Sequence, residues 1–164
     1  MTALLIAIGL TLADQMTKQI VRDTFILGES HPVVTGFLSW TYLRNTGAAW
    51  GMMHGQHTWL ILFSISMLLT LVFFRRSFLS DSSSHRIALG CMIGGIMGNL
   101  LDRIRSGYVT DFIDVFIGSH HWPAFNVADA SICIGVSIYL LSSFLAERQL
   151  RRSGDSDASA RSAT

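Results

Sequence analysis

Acidic residues in the third quarter of the chain are the first candidates for chemistry. Four of the eleven acidic residues lie between positions 98 and 129, namely Asp102, Asp111, Asp114 and Asp129. Three of them directly adjoin long apolar runs. A carboxylate at the edge of hydrocarbon is costly unless it is paired or used, so such residues are functional candidates. We expect Asp111 and Asp129 to meet in space and to share one proton.

A close pair of carboxylates supports one familiar hydrolytic chemistry. One member keeps a proton, and the two titrate as a unit. The ionised member can take a proton from an attacking water, while the protonated member donates to the carbonyl oxygen. This is how aspartic proteases work, and it needs no metal or cofactor. The residues alone leave a purely structural polar cluster open as an alternative.

Other chemistries find less support in the sequence. There is no His-Glu-x-x-His motif for a zinc peptidase, and the adjacent pair His120-His121 does not share a helix face. No serine lies in Gly-x-Ser-x-Gly, and the single lysine, Lys18, pairs more simply with Asp14 four residues earlier. A net charge of +1 does not suggest a nucleic-acid partner.

The composition indicates an integral membrane protein. Half of the residues are apolar, 14% are charged and the mean hydropathy is +0.44, whereas soluble domains carry about 25% charge. We predict a mainly α-helical membrane domain over residues 1–152 with four transmembrane helices, at about 3–21, 58–74, 87–104 and 126–146. Residues 23–57 are predicted to form a small extracytoplasmic sheet and residues 153–164 a disordered tail. Residues 105–124 are predicted to form a second loop or short helix, although the loose alternation over 108–117 leaves a strand open there.

Arginine placement predicts the topology. The short connection between the second and third helices and the stretch after the fourth are rich in arginine, so the positive-inside rule places both termini in the cytoplasm. The polar blocks then face outward. Eight polar residues are predicted to converge on that outer side: Asp14, Lys18, Asn99, Asp102, Arg103, Asp111, Asn126 and Asp129.

A small proton-coupled transporter or channel subunit is the alternative function. Intramembrane carboxylates also suit proton relays. That class, however, places its charges near the midplane, within repeated halves. Here the charges gather at one face, and the sequence shows no repeat.

Five motifs carry a family resemblance. They are Asp-Gln-x-Thr-Lys at 14–18, Arg-Asn-Thr-Gly-Ala-Ala-Trp-Gly at 44–51, Gly-Asn-Leu-Leu-Asp-Arg at 98–103, Val-Thr-Asp-Phe at 109–112 and Phe-Asn-Val-Ala-Asp at 125–129. In this order they resemble the lipoprotein signal peptidases, or signal peptidase II family. The resemblance spans the chain from the first predicted helix to the fourth.

The resemblance implies an aspartyl peptidase of the bacterial inner membrane. Such an enzyme removes the signal peptide from a prolipoprotein just before a cysteine that carries diacylglyceryl. Its partners would be that substrate and membrane lipids, no cofactor or metal would be needed, and we expect a monomer. The active site would lie at the outer, periplasmic face.

The resemblance also assigns roles to individual residues. The catalytic pair falls on Asp111 and Asp129, with Asp102 as a competing carboxylate that we expect to have a supporting role. Substrate positioning or site ordering falls on Asn45, Gly47, Asn99, Arg103 and Asn126. Asp14 and Lys18 carry a structural or substrate-binding role. Asp114 matches no motif carboxylate and is expected to be exposed.

Overall fold

Four helices and a small sheet make up the part of the chain that the structure describes. The structure, a computed structural model, describes residues 1–48, 52–75 and 82–162. In chain order the elements are α1 (Thr2–Thr24), β1 (Ser30–Val34), β2 (Leu38–Asn45), α2 (His57–Phe73), α3 (Ser83–Ser106), β3 (Val109–Ile117), β4 (His120–His121) and α4 (Val127–Ser162).

Among the described residues, three helices are long and apolar enough to cross a membrane, by length and composition. They are α1, α3 and the Val127–Gln149 part of α4. The helix α2 is also apolar but has only 17 residues. At 1.5 Å per residue it extends roughly 26 Å, near the lower limit for a span. Each of the four expected helices is present, and α2 begins and ends within one residue of its expected bounds.

Glycines let α3 approach α1 and α4 closely. A Cβ added to Gly94 would lie 2.9 Å from the carbonyl oxygen of Ala7 in α1, and one added to Gly95 would collide with the carbonyl of Ala128 in α4. Small residues at helix contacts allow this packing between membrane helices. The helix α3 is therefore the central helix of the bundle, with both neighbours held against its backbone.

A single antiparallel sheet joins the two polar blocks. Its strand order is β1-β2-β3-β4, and in the β2–β3 pair Leu43 faces Asp111 and Asn45 faces Val109. Most of residues 105–124, expected as a loop or short helix, forms β3 and β4, so the strand left open for residues 108–117 is the conformation that the chain adopts. The sequence alternates only loosely at this point, and pairing with the distant β2 decides its conformation.

The last helix is longer than expected. It continues to Ser162, through residues 153–162 where a disordered tail was predicted. The sequence contains no proline after Pro123, so nothing in the chain prevents propagation of a helix that has already formed. An ion pair at 2.6 Å between Glu147 and Arg151, four residues apart, supports the helix beyond the apolar span.

Candidate active site

Two amide groups hold the carboxylate of Asp111. The residue lies in β3 and is 3% exposed. Asn45 Nδ2 donates to Asp111 Oδ2 at 2.9 Å, and Asn126 Nδ2 donates to Asp111 Oδ1 at 2.6 Å. The antiparallel register of β2 and β3 brings Asn45 alongside. The carboxylate is thus fixed by donors from two distant parts of the chain.

Asp129 lies in the first turn of α4, where the helix dipole favours a negative charge. Its Oδ2 accepts from the backbone N–H of Asn126 at 3.2 Å, and Asn126 Oδ1 accepts from the backbone N–H of Asp129 at 3.0 Å. This reciprocal arrangement is that of a capping box. Asn99 Nδ2 donates to Asp129 Oδ1 at 2.7 Å, which ties the carboxylate to α3.

Asn126 connects the two carboxylates. Its side chain donates to Asp111 while its backbone donates to Asp129. Both carboxylates line one cavity of about 520 Å³, within the usual range for ligand sites. The rest of its wall is almost entirely apolar, apart from Asn45, and is formed by Trp122, Pro123, Ala124, Phe125, Ala130, Ile132 and Cys133.

The surroundings of Asp111 favour its protonated form. Burial raises the pKa of Asp111 to about 7, and the nearby charge of Asp129 acts in the same direction. The hydrogen bonds from Asn45 and Asn126 and the charge of Lys18 act the other way. One carboxyl of the pair can therefore hold a proton near neutral pH, as an acid–base pair requires.

Lys18 forms the centre of a buried ionic network behind the cavity. Its ammonium lies 2.9 Å from Asp14 Oδ2 and 3.2 Å from Asp102 Oδ2, and it donates to Asn99 Oδ1 at 2.8 Å. The side chains of Lys18 and Asp14 are completely buried, and that of Asp102 is 3% exposed. Buried charges require this pairing, because an unpaired one would be strongly destabilising.

The two network carboxylates also reach the backbone beside the candidate catalytic residues. Asp14 Oδ1 accepts from the N–H of Ala128, and Asp102 Oδ2 accepts from the N–H of Thr110, at 2.9 and 3.1 Å. Ala128 immediately precedes Asp129, and Thr110 immediately precedes Asp111. Asp102 is thus turned to the backbone of β3, and it is not among the residues that line the cavity.

Arg103 and Gly47 order the loop beside the site. Arg103 Nη2 donates to the Gly47 carbonyl at 3.3 Å and Nη1 to the Asn99 carbonyl at 3.5 Å. The Gly47 N–H donates to Asn45 Oδ1 at 2.9 Å, so the amide nitrogen of Asn45 is left to point at Asp111. A Cβ at Gly47 would lie 2.7 Å from the Met52 carbonyl oxygen. Only glycine fits here without a shift of the loop.

Asp114 stands apart from this arrangement. It is half-buried rather than exposed as expected, and its carboxylate pairs with His121 Nδ1 at 2.9 Å across the β3–β4 hairpin. Among the described residues, no group of three histidine, cysteine or acidic side chains is placed to hold a metal ion.

Two members of the site, Gln15 and Cys133, were not predicted from the sequence. Gln15 Nε2 donates to Asp102 Oδ1 and to the Gly98 carbonyl, both at 3.1 Å, which joins it to the ionic network. Its place inside the motif at 14–18 was the available signal. Cys133 lines the cavity one helical turn after Asp129, and that spacing of four residues could have indicated it.

Known proteins are similar to most of this chain. The family model described as Signal peptidase (SPase) II matches residues 6–145. A lipoprotein signal peptidase of Syntrophotalea carbinolica is 42% identical over 142 residues, covering 85% of this chain and 88% of the relative. One of Staphylococcus aureus is 38% identical over 144 residues, covering 86% of each.

Two solved structures are similar as well. Both are bacterial membrane enzymes solved by the in meso method. One, at 2.3 Å resolution, gives a TM-score of 0.81 at 36% identity and covers 87% of each chain. The other, at 1.9 Å resolution, gives 0.78 at 37% identity over 86% of this chain and 91% of that one.

The protein is therefore a membrane aspartyl protease. More particularly, the chain belongs to the signal peptidase II family, as the five sequence motifs indicated. The alternative of a transporter or channel subunit is not favoured by these relatives.

Proposed function

We propose that this chain removes signal peptides from diacylglyceryl-modified prolipoproteins, cutting before the lipidated cysteine, with Asp111 and Asp129 as its catalytic pair. The observation that carries the proposal is the bridge through Asn126, which holds both carboxylates on the wall of one largely apolar cavity. An apolar wall suits a substrate that remains partly in the bilayer.

The roles of Asp111 and Asp129 in the reaction follow from the different surroundings of their carboxyl groups. Asp129 accepts a proton from a water molecule as its oxygen attacks the scissile carbonyl carbon, and Asp111 donates its proton to the carbonyl oxygen. The tetrahedral intermediate then breaks its carbon–nitrogen bond, and the leaving amine takes up a proton from the pair. Asn45 and Asn126 hold the Asp111 carboxyl in the orientation that this exchange needs.

We also propose how the chain lies in the membrane. All four helices cross it, α2 at the lower limit of length, and both termini lie in the cytoplasm because arginines cluster at those helix ends. The sheet and the cavity then lie at the outer face, in contact with lipids, and the enzyme acts as a monomer.

Reporter fusions test this orientation. A reporter that is active only in the cytoplasm, fused after Thr164, should be active. Activity of a reporter that works only on the outer side would show the opposite orientation.

Cleavage of a diacylglyceryl prolipoprotein, followed by gel shift, tests the catalytic pair. Asp111→Asn and Asp129→Asn should each lower the rate by at least about 10²-fold, the usual contribution of a general acid or base. Asp114→Asn is the matched control and should cleave normally, because Asp114 pairs only with His121 at the other end of β3. A metal chelator should leave the rate unchanged.

Asp102→Asn separates the two assignments of the third carboxylate. In the proposed arrangement it lowers stability, since it weakens the Lys18 network, but leaves measurable cleavage in the folded fraction. A folded Asp102→Asn protein without activity, together with an active Asp111→Asn protein, would refute the proposed pair.

A further inference from the structure

A second polar cluster lies where the sheet meets the end of α1, outside the active site. Its members are Arg22, Tyr42, Arg44, Tyr108 and Thr110, and we call it the arginine–tyrosine cluster. Tyr42 and Arg44 are two residues apart on β2, so they share a face of that strand, and Arg44 is the register partner of Thr110 on β3. The neighbouring positions Asn45 and Asp111 point to the catalytic side.

Arg44 is held by aromatic rings instead of by a carboxylate. Its Cζ lies 4.7 Å from the centre of the Tyr108 ring and 5.7 Å from that of Tyr42, and its Nε donates to Tyr42 Oη at 3.2 Å. Among the described residues, no acidic side chain forms an ion pair with Arg44. The guanidinium is exposed and retains donors for a further partner.

Arg22 brings a second guanidinium group to the same place. Its Nη1 donates to Thr110 Oγ1 at 3.1 Å and lies 3.6 Å from Asp102 Oδ1. That carboxylate already pairs with Lys18 at 3.2 Å. Arg22 therefore shares the Asp102 carboxylate with Lys18, and Arg44 forms no ion pair with an acidic side chain among the described residues, so the cluster carries a positive charge that no ion pair neutralises.

The pKa of Tyr108 depends on burial, on a hydrogen bond and on the charges of both arginines. Burial raises the pKa of Tyr108, as does its hydrogen bond with Tyr42, while the charges of Arg44 and Arg22 act in the opposite direction. Its hydroxyl therefore stays protonated and can donate. The cluster presents the guanidinium groups of Arg44 and Arg22 and the phenol hydroxyl of Tyr108 to whatever lies beside it, while the buried Tyr42 holds Arg44 in place.

The position along α1 indicates what lies there. Leu12, Met16 and Ile20 are each more than half exposed on the outer side of a helix that is suited to crossing a membrane, so acyl chains surround it. Arg22 is in the last turn, where the apolar stripe has ended. Tyrosine and arginine at such a level face lipid headgroups, and guanidinium groups bind phosphate oxygens in a bidentate manner.

We propose that the arginine–tyrosine cluster binds the phosphodiester of an anionic phospholipid in the leaflet that surrounds the sheet. This ligand is neither substrate nor product of the peptidase. It would secure the β2–β3 pair against the bilayer through Arg44, while the Asn45 and Asp111 positions of the same strands hold the catalytic carboxyl. Free phosphate offers the same oxygen chemistry, so the test must separate the two sources.

Lipid retention by the full chain tests the site. The protein, in detergent micelles with equimolar phosphatidylglycerol and phosphatidylcholine, is examined by native mass spectrometry. The wild type should retain phosphatidylglycerol preferentially, and Arg44→Gln should weaken that retention by about fivefold, the effect of one basic residue near an anionic surface. Arg44→Lys should keep most of it. Arg105→Gln, an exposed arginine whose side chain bonds to Gln15 instead, is the matched control and should match the wild type.

Two further measurements ensure that each result either supports or contradicts the proposal. Circular dichroism shows whether Arg44→Gln is folded; if it is not, Tyr108→Phe, which keeps the ring and removes the hydroxyl, replaces it and should weaken retention by a smaller factor. Equal retention of both lipids by the wild type, or equal retention by the wild type and the folded variants, would overturn the proposal. Displacement of the lipid by millimolar inorganic phosphate or glycerophosphoglycerol would overturn the lipid assignment in favour of a free-anion site.

Discussion

At the residue scale, the protonation of Asp111 results from a balance between burial and hydrogen bonding. Burial and the charge of Asp129 raise its pKa, whereas Asn45 and Asn126 stabilise the ionised form. The same two amides therefore orient the carboxyl and limit how far its pKa rises. A change in either amide should alter proton affinity as well as geometry.

The pH dependence of cleavage follows from this balance. A pair that needs one proton loses activity as pH rises through the pKa of Asp111, near 7, so kcat/KM should fall on the alkaline side. Asn45→Ala removes a donor to the charged form, which raises the pKa and should move the alkaline limb to higher pH. Arg105→Gln is the control and should leave the profile in place. If the alkaline limb of the Asn45→Ala profile stays in place or moves to lower pH, Asn45 does not stabilise the ionised form of Asp111.

At the element scale, the Lys18 network holds four elements together. Lys18 and Asp14 belong to α1, Asp102 and Asn99 to α3, and the two carboxylates reach the backbone of β3 and α4. The backbone N–H groups that these carboxylates bind belong to Thr110 and Ala128, each one residue before a candidate catalytic aspartate. The ammonium group of Lys18 thus helps to fix the relative positions of β3 and α4, together with the bridge through Asn126.

Removal of that ammonium should be costly. Lys18→Met removes the ammonium that pairs with the buried carboxylates of Asp14 and Asp102, and breaking a buried pair typically costs about 3–5 kcal/mol. Thermal unfolding in detergent should show a large decrease in midpoint for Lys18→Met and almost none for Arg105→Met, where the arginine is exposed. Equal midpoints for the two variants would show that the network contributes little.

The close contact of α3 with α4 gives a second test at this scale. Gly95→Ala introduces a Cβ that collides with the Ala128 carbonyl, immediately before Asp129, so both stability and cleavage should fall. Gly9→Ala is the matched control, because a Cβ there meets no atom within 4 Å and alanine favours a helix more than glycine. The midpoint should be equal or higher in Gly9→Ala, and equal losses in both variants would exclude the packing explanation.

At the scale of the whole molecule, the cavity is formed where the sheet, the segment 122–125 and α4 meet. The two cysteines of the chain differ: Cys133 is exposed and lines the cavity, whereas Cys91 is buried in α3 and is not among the lining residues. The chain therefore carries a natural reporter for occupation of the cavity, one helical turn from Asp129.

Thiol modification should reveal whether substrate uses this cavity. A bulky maleimide on Cys133 should block most of the cleavage, because it fills space beside the carboxylates, and a saturating substrate peptide should slow the labelling. Cys133→Ser should cleave and resist the reagent. Full activity of the wild type after complete labelling at Cys133 would place the substrate elsewhere.

The sequence by itself determined the features that depend on neighbours along the chain. Continuous apolar runs predicted the helices, and the spacing of four residues predicted the pairing of Asp14 with Lys18, which lie 2.9 Å apart. Five motifs in order indicated the family. These features could be predicted because hydrophobic runs and helical spacing are local properties.

Only the tertiary structure decided how the candidate site is assembled. Asn45 reaches Asp111 from 66 residues away, and Asp14 reaches the Ala128 backbone from 114 residues away. The strand character of β3, the place of Asp102 behind the cavity and the bridge through Asn126 all depend on such contacts. Local periodicity carries no information about which distant donor will meet a given carboxylate, because that pairing is fixed by the packing of helices and strands against one another.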